Sequence, residues 1–233
     1  MYSFIMERSE QDIKMTLQQI SAILLINGGF SNNPGLYSGE MGLVLFFTRY
    51  ARHTQNDLYV DYAYDLMGKV QHKIHQGTPI NYKQGLTGIG SSIEYLVQND
   101  YFEADTDELL EDFDKRIFFT YNLSNLPVDE LKDIGYYALW RMSGNSSKKD
   151  MIRQIIVPQI ERHSVFPKLC RQNLPESFKE KTYGYCLELI EKKEFWSKDL
   201  GLQNGLAGWG LSLLTELDGD DSWILLLQND LQQ

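Results

Sequence analysis

One glycine phrase, used three times, constrains this chain more than any other feature. Gly35-Leu36-Tyr37-Ser38-Gly39-Glu40-Met41-Gly42 opens onto Leu43-Val44-Leu45-Phe46-Phe47. Gly201-Leu202-Gln203-Asn204-Gly205-Leu206-Ala207-Gly208 opens onto Trp209-Gly210-Leu211-Ser212-Leu213-Leu214. A third copy drops the leading Gly-Leu and reads Asn81-Tyr82-Lys83-Gln84-Gly85-Leu86-Thr87-Gly88-Ile89-Gly90. Such recurrence marks a repeat fold. Two glycines three apart share a helix face, where the missing side chains let another segment come close.

Between the phrases the pattern is helical. Ile13, Leu17, Ile20, Ile23 and Leu24 recur at threes and fours, which predicts an amphipathic helix over 9–25, stopped by Asn27-Gly28-Gly29. Further helices are expected at 40–52, 55–76, 86–98, 107–121, 128–142, 147–163, 175–193, 204–217 and 221–230. The 55–76 helix should bury Leu58, Ala63, Leu66, Met67, Val70 and Ile74. Gly39 to Gly85 is 46 residues (85 − 39), about one helical hairpin with its loops. Worn copies stand at Ile134-Gly135-Tyr136-Tyr137 and Tyr183-Gly184-Tyr185-Cys186. No low-complexity stretch or linker divides residues 1–233, which are read as one domain.

Composition excludes some functions. Net charge is −10, with 32 acidic against 22 basic residues, which argues against neutralising nucleic-acid phosphates and against anionic membranes. Two cysteines are too few for a disulfide framework and point to a reducing, cytoplasmic setting. Residues Met1–Glu10 do not read as a signal peptide, and the apolar run Ala22–Ile26 is far too short to span a bilayer.

Gly-Leu-x-x-Gly-Leu-Ala-Gly ahead of an apolar helix resembles the repeat of lanthionine synthetase C-like proteins, the peptide cyclases of lanthipeptide biosynthesis. The match is closest over Gly201–Leu214, with earlier repeats at Gly35–Phe47 and Gln84–Leu96. The resemblance implies an all-α fold: an α/α toroid of helical hairpins with the glycine phrases at the N-termini of inner helices. This chain holds fewer hairpins than the family's full ring, so a reduced or incomplete ring is expected. The family's cyclases hold zinc through a Cys-Tyr-Gly phrase and a Cys-His-Gly pair, to activate a substrate thiol. Neither phrase occurs here. The residues before the shared glycines are Tyr37-Ser38, Lys83-Gln84 and Gln203-Asn204, with no thiolate or imidazole among them. No metal and no cofactor are therefore expected.

Other chemistry was weighed against plainer explanations. Cys170, Cys186 and His163 are the right residue types for zinc, but their spacing is not that of a zinc site. His72 and His75, among Lys69 and Lys73, read as the solvated face of an outer helix. Paired acids would suit a glycoside hydrolase. Glu40 stands where the other copies have Leu86 and Leu206. Glu94 falls in an apolar stripe as a partly exposed residue, and Asp133 precedes the worn copy. Trp140 and Trp223 read as packing. The six residues expected to gather at the ring mouth and bind a ligand are Tyr37, Glu40, Tyr82, Gln84, Gln203 and Asn204. The reading is a zinc-free protein that binds a peptide or small polar ligand, an accessory factor in modified-peptide maturation with maturation or export proteins as partners. The alternative is an active enzyme on the same scaffold, either a metal-dependent cyclase with displaced ligands or a hydrolase using two acids.

Overall fold

A computed structural model describes residues 9–120, 122–163, 199–203 and 205–227, and among them every regular element is helical. The longer elements are α1 (Glu10–Asn27), α2 (Glu40–Thr54), α3 (Asp57–Lys73), α4 (Leu86–Gln98), α7 (Val128–Ser143), α8 (Lys149–His163) and α9 (Leu206–Asp218). Between α4 and α7 lie two single turns, α5 (Thr106–Leu109) and α6 (Glu111–Asp114). The expected helix at 175–193 falls outside the described residues.

Burial sorts the helices into two layers. Every residue from Glu40 to Ala51 of α2 is buried, as are Leu86–Leu96 of α4 and Leu206–Leu214 of α9. A helix buried on all sides has no solvent face to keep polar, which is why these stretches are largely apolar, with their buried charges Glu40, Arg49 and Glu94 paired. By contrast α3 buries only Ala63, Leu66 and Val70, a single stripe at threes and fours. Leu58, expected in that stripe, is 72% exposed, because it sits in the first turn of α3, beyond the stripe.

The inner helices run parallel. Their N-terminal loops touch: a Cβ on Gly35 would lie 2.4 Å from the Gln84 Cα, and one on Gly201 2.4 Å from the Ser38 Cα. Their C-terminal ends touch as well. Arg49 of α2 pairs with Asp218 of α9 at 2.8 Å, and Arg52 donates to the carbonyls of Asn99 and Asp100 just after α4. In α7, Asp133 meets the loop before α4 and Arg141 meets Glu94 of α4, so α7 runs the same way. The return helices pack outside: α3 on α2, α8 on α7, and α1 on α9. This is the inner and outer layering of an α/α toroid. One core cluster runs from Ile13 to Leu226 through both layers.

Local chemistry accounts for most boundaries. Ser9 accepts from the Asp12 N–H and Asp12 accepts from the Ser9 N–H, a reciprocal cap that starts α1. Asp105 caps α5 by accepting from Asp107 and Glu108. The continuous helix expected at 107–121 is instead broken at Leu110 and ends in a π-helical stretch, Lys115–Phe119. The break lets Asp107 and Asp114 both reach Arg141. The expected 221–230 helix is a 3-10 helix over Ser222–Leu226. The worn copy at Ile134-Gly135 lies in the second turn of α7, whose cap is Pro127, and not at a helix mouth.

Candidate functional site

The three glycine loops share one closing hydrogen bond. The first N–H of each inner helix donates to a carbonyl seven residues back: Glu40 to Asn33 at 2.8 Å, Leu86 to Pro79 at 2.9 Å, Leu206 to Asp199 at 2.9 Å. Each loop thus folds over the first turn of its own helix. A Cβ on Gly88 would fall 1.7 Å from the Tyr82 carbonyl oxygen, and one on Gly208 1.9 Å from that of Leu202. The capping glycines Gly39, Gly85 and Gly205 have φ near −120°, which any residue can adopt. The demand for glycine is therefore one of space.

The loops are also laced to each other through the backbone. The Tyr37 N–H donates to the Lys83 carbonyl at 2.9 Å, and the Tyr37 carbonyl accepts from the N–H groups of Leu202 and Gln203 at 2.6 and 2.9 Å. Asp133 accepts from the Tyr82 N–H at 3.0 Å, which ties α7 to the second loop. Segments far apart in sequence thereby form one surface at the N-terminal end of the inner helices.

The structure sorts the six expected site residues. Gln84 is exposed and Gln203 half-buried on that surface, while Asn204 lies outside the described residues. Tyr37 and Tyr82 are buried and meet edge to face, with ring centroids 6.4 Å apart. Tyr82 occupies the loop position held by Leu36 and Leu202 in the other copies, a slot that faces the core. Burial pushes its phenol well above the ordinary tyrosine range, so it stays protonated. Neither ring is open to direct ligand contact. Glu40 occupies the slot of Leu86 and Leu206 and is fully buried. A carboxylate there needs a cation, and Lys73 at the end of α3 supplies it at 2.6 Å. Its other oxygen, Oε2, has no hydrogen-bond partner.

Other expectations are revised. Glu94 is not a partly exposed residue: it is buried and bound to Arg141, whose guanidinium also meets Asp107 and Asp114 at 2.8 Å each. Asp133 is engaged by the second loop. His72 is exposed in the last turn of α3, whereas His75, expected on the same helix face, is exposed in the loop after it, because α3 ends at Lys73. Trp140 and Trp223 are buried in the core. Among the described residues no three His, Cys, Asp or Glu side chains gather closely enough to hold a metal. Cys170 and Cys186 lie outside the described residues, and so does the side chain of His163.

Sequence reasoning missed a cleft of about 530 Å³ beside the mouth, between the first loop, the end of α3 and the turn that leads to the second loop. Asn32, His72, Lys73, His75, Thr78 and Gln84 line it. A signal existed: an acid in a leucine slot requires a cation nearby, and that cation is Lys73 on the cleft wall.

Parallel inner helices, antiparallel outer returns and glycine loops meeting at one end define an α/α toroid. The sequence matches the family of lanthionine synthetase C-like proteins over residues 31–158, more than half of its length. The chain belongs to the lanthionine synthetase C-like family. No curated protein and no solved structure matches it.

Proposed function

We propose that this chain is a lanthionine synthetase C-like protein that binds a peptide without zinc catalysis and serves as an accessory factor in modified-peptide maturation. The observation that carries this reading is the chemistry of the three glycine loops. At the positions before the shared glycine the chain places Tyr37-Ser38, Lys83-Gln84 and Gln203-Asn204. Amide, hydroxyl and ammonium groups recognise polar backbones and carboxylates; they do not form the thiolate and imidazole set that zinc takes. The donors present in these loops do not fit the family's metal.

The hydrolase alternative needs two free acids across a cleft. Glu40, Glu94 and Asp133 are each already engaged, by Lys73, Arg141 and the Tyr82 N–H respectively. No arrangement among the described residues favours it. Elemental analysis tests the main reading. Protein produced in zinc-containing medium is expected to carry no stoichiometric zinc. About one zinc per chain, lost on Cys170→Ala or Cys186→Ala, would overturn it in favour of a cyclase with displaced ligands.

A further inference from the structure

We propose that the cleft between the first glycine loop and the end of α3 is a carboxylate-binding site, which takes the acidic groups of the bound peptide. The peptide part of this proposal rests on the function proposed above.

Several acceptors around the cleft are taken. His75 Nδ1 accepts from the Gly77 N–H at 3.1 Å, and Thr78 Oγ1 accepts from the His75 N–H at 3.0 Å. The carbonyls of Gln76 and Thr78 accept from Arg116 at 3.1 and 2.9 Å. Those of Ser31, Asn33 and Pro79 accept from Lys73, Glu40 and Leu86.

The donors are not. With Nδ1 accepting, the proton of His75 resides on Nε2, which is left to donate. Lys73 Nζ uses two of its three protons, on Ser31 and Glu40. The His72 imidazole and the side-chain amides of Asn32 and Gln84 make no hydrogen bond among the described residues. Lys73 and Arg116 bring positive charge to the walls, and the one acid at this point, Glu40, is fully buried and paired. On a chain of net charge −10, a cleft lined by Lys73 and the His75 Nε2 donor, with no acid among its lining residues, is locally selective for an anion with planar oxygens. Its volume of about 530 Å³ lies in the range of ligand pockets and admits side chains of a peptide rather than one small ion.

The test follows the imidazole NMR signals of the protein's four histidines during titration. The probes are acetyl-tetraglutamate amide, acetyl-tetraglutamine amide, acetyl-tetraglycine with a free C-terminus, and glutarate. Tetraglutamate is expected to move the signals of His72 and His75 while leaving that of His53 in place, at about one tenth the concentration that tetraglutamine needs. The tetraglycine probe tells a terminal carboxylate from side-chain ones. Asn32→Asp and Gln84→Glu, both at exposed positions, should each weaken the response about tenfold with no change in thermal midpoint. Equal response to tetraglutamine, or indifference to both variants, overturns the site. If glutarate moves these signals but no peptide binds, the carboxylate site stands and the peptide reading falls. If peptides protect the glycine loops from hydrogen exchange without moving His72 and His75, the reverse holds.

Discussion

The two ends of the inner helices are held by opposite means. At the N-terminal end, loops meet backbone to backbone, and the contacts exist because side chains are missing at Gly35, Gly88, Gly201 and Gly208. At the C-terminal end, the same helices are tied by long charged side chains. Arg49 reaches Asp218, Arg52 reaches the carbonyls after α4, and Arg141 gathers Glu94, Asp107 and Asp114. Backbone lacing holds the mouth with little side-chain bulk. Ion pairing at the other end fixes helix positions by charge.

The largest effect should come from the charged end. Arg141→Met leaves three acids around a buried site without their cation and should cost about 3–5 kcal/mol. Urea unfolding near pH 7 measures it, and a loss under 1 kcal/mol would show the network to be idle. Next comes the mouth. Gly208→Ala drives a methyl group into the Leu202 carbonyl and should cost about 2–3 kcal/mol. Unchanged stability would mean that the loops are not sterically required.

The smallest effect is the acid slope of the parent protein. Burial alone would raise the Asp107 carboxyl, but hydrogen bonds from Ser146, Ser147 and Arg141 outweigh it and hold the group well below the usual carboxylate range. Because the folded value lies below the unfolded one, about 3.9, this stabilisation is complete above that pH and drains away as pH drops further. Asp107→Asn should therefore flatten the decline in thermal midpoint below about pH 4. An unaltered slope would assign the acid sensitivity to other carboxylates.

Much of the layering was legible in residues. Val44-Leu45-Phe46-Phe47 is apolar on every side and Leu211–Leu214 nearly so, and they became inner helices; Ala63, Leu66 and Val70 make one stripe, and they belong to an outer one. The convergence of the loops followed from the repeated phrase. What could not be read was which way a loop side chain points. Tyr82 beside glycines looked available to a ligand, yet its place in the repeat is that of Leu36, which is core. Glu94 could not be matched with Arg141, 47 residues further along on another helix, because nothing local marks a long-range ion pair. The cleft escaped for the same reason, since its walls come from two loops and a helix end.

The packing of α1 and α2 against α9 has a consequence in time. Arg49 and Asp218 are 169 residues apart, so the seam that joins α2 to α9 cannot form until Asp218 has left the ribosome. Contacts so distant in sequence slow folding, and while they wait apolar surface stands open. The face of α2 that α9 will cover is such a surface throughout synthesis. Docking of α9 thus does two things at once: it joins the third glycine loop to the first and covers the apolar face of α2.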